Sequence, residues 1–125
     1  LGPDGLASVA TGVYKLVQVV LSILMTKRGS NKFRPGDGTT FLLDADRGGW
    51  WIAADVERSF TAARLDVGRQ TRARATDTTP TDEQLAALEF RSAGFADGRA
   101  SISIYMETVS GESTTLIAPI KTDIR

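Results

Sequence analysis

LEFRSAGFADGRASISIYMETVSGESTTLIAPI, residues Leu88–Ile120, is the stretch whose alternation decides the fold. Leu88 and Phe90 alternate with Glu89 and Arg91. Ile102, Ile104 and Met106 alternate with Ser101, Ser103, Tyr105 and Glu107. A period of two sends successive side chains to opposite faces, so each run reads as a half-buried strand with one wet face. Asp97-Gly98 between the runs is a strong hairpin signal, because a two-residue type I′ turn needs positive φ at both positions. Ser110-Gly111-Glu112 turns the chain again into a third strand over Thr114 to Ile120. Pro119 has no N–H for a ladder, which favours an edge position for that strand. The expectation is a three-stranded antiparallel meander with a free edge.

Two helices are expected ahead of it. Leu6, Val9, Val13, Leu16, Val17, Val20, Leu21 and Leu24 recur at steps of three and four, which predicts a helix over Leu6 to Met25. Asp4 is placed to cap it. Lys27 and Arg28 suit a negative helix C-terminus, and Gly29 suits a stop. Phe33 to Leu43 reads as a loop leading into a short strand around Thr40 to Leu43, and Asp44 to Gly49 as a second turn. Trp50 and Trp51 open the second helix, with Ile52, Val56, Phe60, Ala63 and Val67 on its apolar stripe and Gly68 as its stop. Leu65 to Arg74 reads as the helix end running into an exposed edge strand or loop. Thr81 and Gln84 have capping-box spacing, which predicts one or two helical turns over Asp82 to Leu88. The fold class is therefore α+β: two amphipathic helices packed on an antiparallel sheet of three to four strands, in one domain spanning residues 1–125.

Composition narrows the function. Fifteen basic and fifteen acidic residues cancel, so no global field draws nucleic acid or a membrane. The chain has no cysteine, which excludes disulfides, a thiol nucleophile and thiolate metal sites. It has no histidine, the side chain that titrates near neutral pH unaided and the commonest metal ligand. Leu1 to Thr11 lacks a basic start and an apolar block, so no signal peptide is expected. The longest apolar stretch, Val13 to Met25, is interrupted by Lys15, Gln18 and Ser22. A membrane span needs about 20 mostly apolar residues, so a soluble chain is expected.

Catalytic chemistry finds few carriers. Asp55 and Glu57 form the carboxylate pair to test for glycoside hydrolysis, but residues two apart on a helix point to different sides. Ser30 lies near Lys27 and Lys32 without the S-x-x-K order. Asp44-Ala45-Asp46 is too short for a calcium loop. The glycine-rich turn at Pro35, Gly36 and Gly38 lacks the spacing of a phosphate-binding loop. The expectation is no catalytic residue, no cofactor and no metal. Arg64, Arg69, Arg72 and Arg74 form a basic cluster without interleaved aromatics. A solvated face or an acidic protein partner suits them better than nucleic acid.

TGVYKLVQVVLSILMTKRGSNKFRPGDGT, Thr11 to Thr39, resembles the N-terminal half of the small wedge subunits of contractile-tail baseplates, with their "helix, T-x-x-G-S, short loop, P-x-x-G-T" pattern. The run from Thr81 to Ile120 is similar to the meander that closes those proteins. The family's glutamate-proline-arginine motif falls at Ala62-Ala63-Arg64-Leu65, where only the arginine is kept. The resemblance implies a sheath-initiator-like domain in a phage tail or type VI secretion baseplate. Its implied role is structural: it binds wedge core proteins, sits in a multi-copy ring and nucleates the tail sheath through strand exchange. Its implied location is the virion tail baseplate. The family also carries an old "lysozyme" label, which makes a peptidoglycan hydrolase the alternative. A basic-patch nucleic-acid adaptor is the third reading.

The interface expected from these readings comprises Arg64, Arg69, Arg72 and Arg74 with one meander edge, where Leu116 and Ile117 lie. Trp50 is added as an aromatic anchor, because paired tryptophans on one helix cannot share one core.

Overall fold

The computed structural model describes residues 12–121. Its sheet has three antiparallel strands, β1 (Leu85–Ala96), β2 (Arg99–Thr108) and β3 (Ser113–Lys121), in the order β1-β2-β3. The alternation of β2 is kept in full. Ala100, Ile102, Ile104, Met106 and Thr108 are buried, and the residues between them are not. In β3 the buried set is Leu116, Ala118 and Ile120, placed opposite Ile104, Ile102 and Ala100. Asp97 and Gly98 both have positive φ (54° and 74°), as the β1–β2 hairpin requires.

β1 is less regular, and its sequence says why. The residues packed on the core are Leu85, Leu88, Phe90, Ala93 and Phe95. Their spacing runs three, two, three, two, so a pure period of two would put Leu88 and Phe90 on the opposite face from Leu85, Ala93 and Phe95. Two bulges correct the phase. The pairing register skips Ala86 and Arg91, each the extra residue of a β1 segment opposite one fewer residue of β2. The Arg91 guanidinium lies 4.6 Å from the centre of the Tyr105 ring on the sheet's outer face.

Helices α1 (Val13–Leu24) and α3 (Ala53–Arg74) cover the inner face, and a short helix between them in sequence, α2 (Phe41–Asp46), packs on α3. α1 buries Leu16, Val20, Ile23 and Leu24, and α3 buries Val56, Phe60, Ala63 and Val67. A relay of aromatic rings joins the layers. Phe41 meets Trp50 at 4.7 Å and Phe60 edge-on at 5.9 Å, and Phe60 meets Phe90 of β1 at 6.4 Å. Among the described residues no helix is long and apolar enough to cross a membrane.

The α+β architecture agrees with the sequence reading, and five local expectations are corrected. The short strand around Thr40 to Leu43 is instead the start of α2, because Phe41 and Ala45, four apart, bury together. Asp44 to Asp46 accordingly belong to that helix and not to a turn. α3 starts at Ala53 rather than at Trp50, because the Asp55 carboxylate accepts the N–H groups of Trp51 and Ile52 and closes the helix there. It also runs through Gly68 to Arg74. A mid-helix glycine costs about 1 kcal/mol, and burial of Val67, Gln70 and Thr71 offsets it. The helical turns expected over Asp82 to Leu88 reduce to one 3-10 turn, Thr81–Glu83. From Leu85 onward the chain pairs with β2, and the Gln84 side chain donates to the Thr79 carbonyl instead of forming a capping box. The expected helical residues 6–11 and the Asp4 cap lie outside the described residues.

Candidate interaction surface

Residues 25–40 connect α1 to α2, and the T-x-x-G-S…P-x-x-G-T pattern lies within them. Its residues lock the loop. The Thr39 N–H donates to the Thr26 carbonyl at 2.9 Å, and the Arg28 N–H donates to the Thr39 carbonyl at 3.0 Å, which pins the two ends side by side. The fully buried Thr39 hydroxyl donates to the Leu24 carbonyl at 3.1 Å and accepts the Phe41 N–H at 3.2 Å. One side chain thereby serves an orphan acceptor at the end of α1 and an orphan donor at the start of α2. Gly38 has φ +91°, and a methyl group there would overlap the Thr26 carbonyl. The Gly29 N–H donates to the Pro35 carbonyl at 3.1 Å, across the neck of the tip.

The anchor of this loop is Gln70 of α3, 5% exposed. Its amide donates to the Gly38 carbonyl at 2.8 Å and accepts the Gly38 N–H at 3.0 Å. Sequence reasoning did not assign it a role. The signal was present, since Gln70 continues the stripe Phe60, Ala63, Val67 by a step of three. A polar residue in buried phase needs a partner, and a backbone amide unit offers both of its complements. At the loop base, Lys27 pairs with Asp46 and Arg28 with Asp66. Beyond the lock the tip carries Lys32, Phe33 and Arg34, with Phe33 95% exposed.

The four arginines of the expected interface do not act as one patch. Arg64 and Arg72, eight apart on α3 with Gly68 between them, line a hollow of about 370 Å³ together with Leu65 and residues 85–89 of β1. Arg64 Nη1 reaches the Leu88 carbonyl at 3.4 Å, and Leu65 is 71% exposed. Arg69 turns instead to Asp66 at 3.4 Å. Arg74, in the last turn of α3, lines a separate hollow of about 300 Å³ with Lys15 and Glu83.

Leu116 and Ile117 lie on β3, and the strand order puts that edge on the far side of the sheet from β1. Leu116 faces the core, and Ile117 faces water at 60% exposure. The arginine row and the Ile117 strand are therefore two surfaces and not one. The placement of Trp50 is also corrected. It is 2% exposed and packed at a tilt against Phe41, so its ring fills the core and Trp51, at 67%, carries the exposed aromatic surface. The reason is that Trp50 lies in the connection between α2 and α3 rather than in the first turn of α3. The Trp50 indole N–H has no partner among the described residues.

The carboxylates considered for hydrolysis have local roles. Asp55 is held below the usual aspartate range, first by the Trp51 N–H, then by the Ile52 N–H and Arg58. A general acid needs the opposite shift. Asp44 accepts the Ser59 hydroxyl at 2.6 Å and tethers α2 to α3. Among the described residues no group of three or more carboxylates is placed to hold a metal. Comparison of the chain with protein-family models, curated proteins and solved structures gave no significant match.

Proposed function

We propose that this chain is a non-enzymatic structural subunit of a contractile-tail baseplate, a wedge component that binds the wedge core proteins and gives the tail sheath its first docking surface. The supporting observation is the open edge of β1 beside Arg64, Leu65 and Arg72. Unpaired main-chain groups on an edge strand are a template for strand addition. A neighbour's extended segment laid along β1 would pair main chain to main chain, cover Leu65, and meet the two guanidinium groups with its own carboxylates. Exposed ion pairs contribute about 0–1 kcal/mol each, so strand pairing and apolar burial dominate the affinity while the arginines favour acidic segments. β3 is the less suited edge, since Pro119 has no N–H to offer. In this reading the subunit is multi-copy, ring-forming and located in the tail baseplate.

The test is deletion of the gene followed by negative-stain microscopy of tail particles. Tails without ordered sheath are expected, and normally sheathed tails sink the proposal. Complementation then separates the edges. Ala86→Pro sits at a bulge residue that β2 does not pair, so it removes a donor from β1 with little effect on the sheet. It should block sheath formation while Arg72→Ala alone is mild. Loss of sheath only with Ile117→Pro, in a chain that stays folded, would move the docking edge to β3.

A further inference from the structure

We infer that the tip of the α1–α2 loop is a preformed knob, in which Phe33, flanked by Lys32 and Arg34, inserts into an apolar cleft rimmed by carboxylates on a fellow subunit. This contact uses a different element from the β1 edge, and it rests on the assembly reading only for the kind of partner.

Three observations carry it. The connection spans sixteen residues, 25–40, between two helices that pack in one core. Loops of that length without their own secondary structure are uncommon in compact domains and are usually functional, and a loop with closed ends is an Ω-loop. The loop is also pinned at its base by the buried Gln70 amide, the buried Thr39 hydroxyl and the Gly38 backbone at positive φ. Its tip is ordered in turn, with the Phe33 N–H donating to the Asn31 side chain at 2.9 Å and the Arg34 N–H to the Asn31 carbonyl at 3.2 Å. A loop needed only to join α1 to α2 requires neither a buried glutamine reaching it from α3 nor an ordered tip.

The second observation is what the scaffold presents. Among the described residues Phe33 is the most exposed of the large apolar side chains, and its neighbours at the tip, Lys32 and Arg34, are both charged. A lone aromatic on a rigid support loses little entropy on docking and suits a single pocket rather than a broad groove. The third observation is the charge around it. The basic residues at the loop base, Lys27 and Arg28, are paired inside the fold. At the tip, Lys32 makes no ion pair among the described residues, and Arg34 has only Asp37 at 3.7 Å. Phe33 is therefore flanked by one unpaired cation, Lys32, and one held only by a long contact, Arg34, and the complementary surface is acidic. A lipid surface fits less well, since one aromatic and two cations give weak, reversible attachment. A neutral chain with one tip aromatic is equally poor for nucleic acid.

The experiment places a benzophenone amino acid at position 33 of the full chain in the producing cells, with the same probe at Val109 as an exposed control. Adducts are mapped at both peptides after irradiation. The expected result is one adduct at position 33 to a different protein of the same assembly, at a segment with apolar and acidic residues. Phe33→Ala should weaken co-purification with that protein about 30-fold or more, Lys32→Glu with Arg34→Glu should also weaken it, and Phe33→Trp should keep it. Position 33 is at an exposed tip, so these variants keep the fold, which circular dichroism checks. Adducts to a second copy of this chain overturn the proposal. So does unchanged co-purification of Phe33→Ala. Phe33-dependent binding of the purified chain to vesicles of 30% phosphatidylserine in phosphatidylcholine, or to a single-stranded oligonucleotide, overturns it in favour of those ligands. Because the mapping is done in cells, it reads the knob even if sheathed tails form without this subunit and the baseplate assignment fails.

Discussion

Gln70→Leu removes the clamp on the loop while keeping the side chain's approximate volume. In the native fold the Gln70 amide satisfies both the N–H and the carbonyl of Gly38. Gly38 is buried, and water does not replace the lost partner without opening the loop. Leaving a buried backbone group unpaired costs about 1–3 kcal/mol, so two groups cost about 2–4 kcal/mol after partial relaxation. That is a large fraction of the 5–15 kcal/mol stability of a typical domain. With a urea slope of about 1–3 kcal/mol per molar, the unfolding midpoint should fall by roughly 1–2 M. Urea titration by far-UV circular dichroism measures the shift, with Gln18→Ala on the exposed face of α1 as a control within about 0.5 kcal/mol. Amide exchange adds the local test: protection at the Thr39, Arg28 and Gly29 N–H groups should drop before protection in the sheet does. An unfolding free energy within about 0.5 kcal/mol of the parent, with loop protection unchanged, would refute the claim that Gln70 holds the loop.

Three further outcomes follow from the same geometry. Asp55→Asn should destabilise the chain at neutral pH and lose that effect in acid. The Asp55 carboxyl is held below its ordinary value in the fold, so its contribution is complete above the ordinary aspartate titration, near pH 4, and disappears as pH falls through the lowered folded value. Parallel melts at pH 7 and pH 2.5 check the sign, and a difference that grows in acid would contradict it. Phe60→Ala should cost about 3–5 kcal/mol, because Phe60 joins Phe41 to Phe90 across the core; urea unfolding reads it. Arg72→Ala should leave stability within about 0.5 kcal/mol, since the side chain is exposed and makes no ion pair among the described residues, and a larger loss would show that the α3–β1 hollow is a structural contact.

The meander was legible in the sequence because strand alternation and a two-residue turn are local properties. Asp97-Gly98 specifies its own turn, and Ile102, Ile104 and Met106 specify their own face, whatever packs on them. The stripe of α1 was legible for the same reason. The loop was half legible: Pro35, Gly36 and Gly38 marked a glycine-rich turn, while nothing in the sequence analysis singled out Phe33. Its lock was not, because Gln70 meets Gly38 from thirty-two residues away and no local rule places them together.

The sequence by itself thus determined the α+β class, the meander, the apolar stripes of α1 and α3 and the shortage of catalytic side-chain types, since periodicity and composition are carried by neighbouring residues. The tertiary structure alone decided three things. It turned Phe41–Asp46 into a helix, because the cost of a short helix is met only by burial against Trp50 and Phe60. It sent Trp50 into the core and left Trp51 exposed, because the Asp55 cap fixed where α3 begins. It separated the arginine row from the Ile117 strand by the width of the sheet, because which helix face lies along which strand edge depends on how the layers dock, and that is set by long-range packing rather than by any stretch of chain.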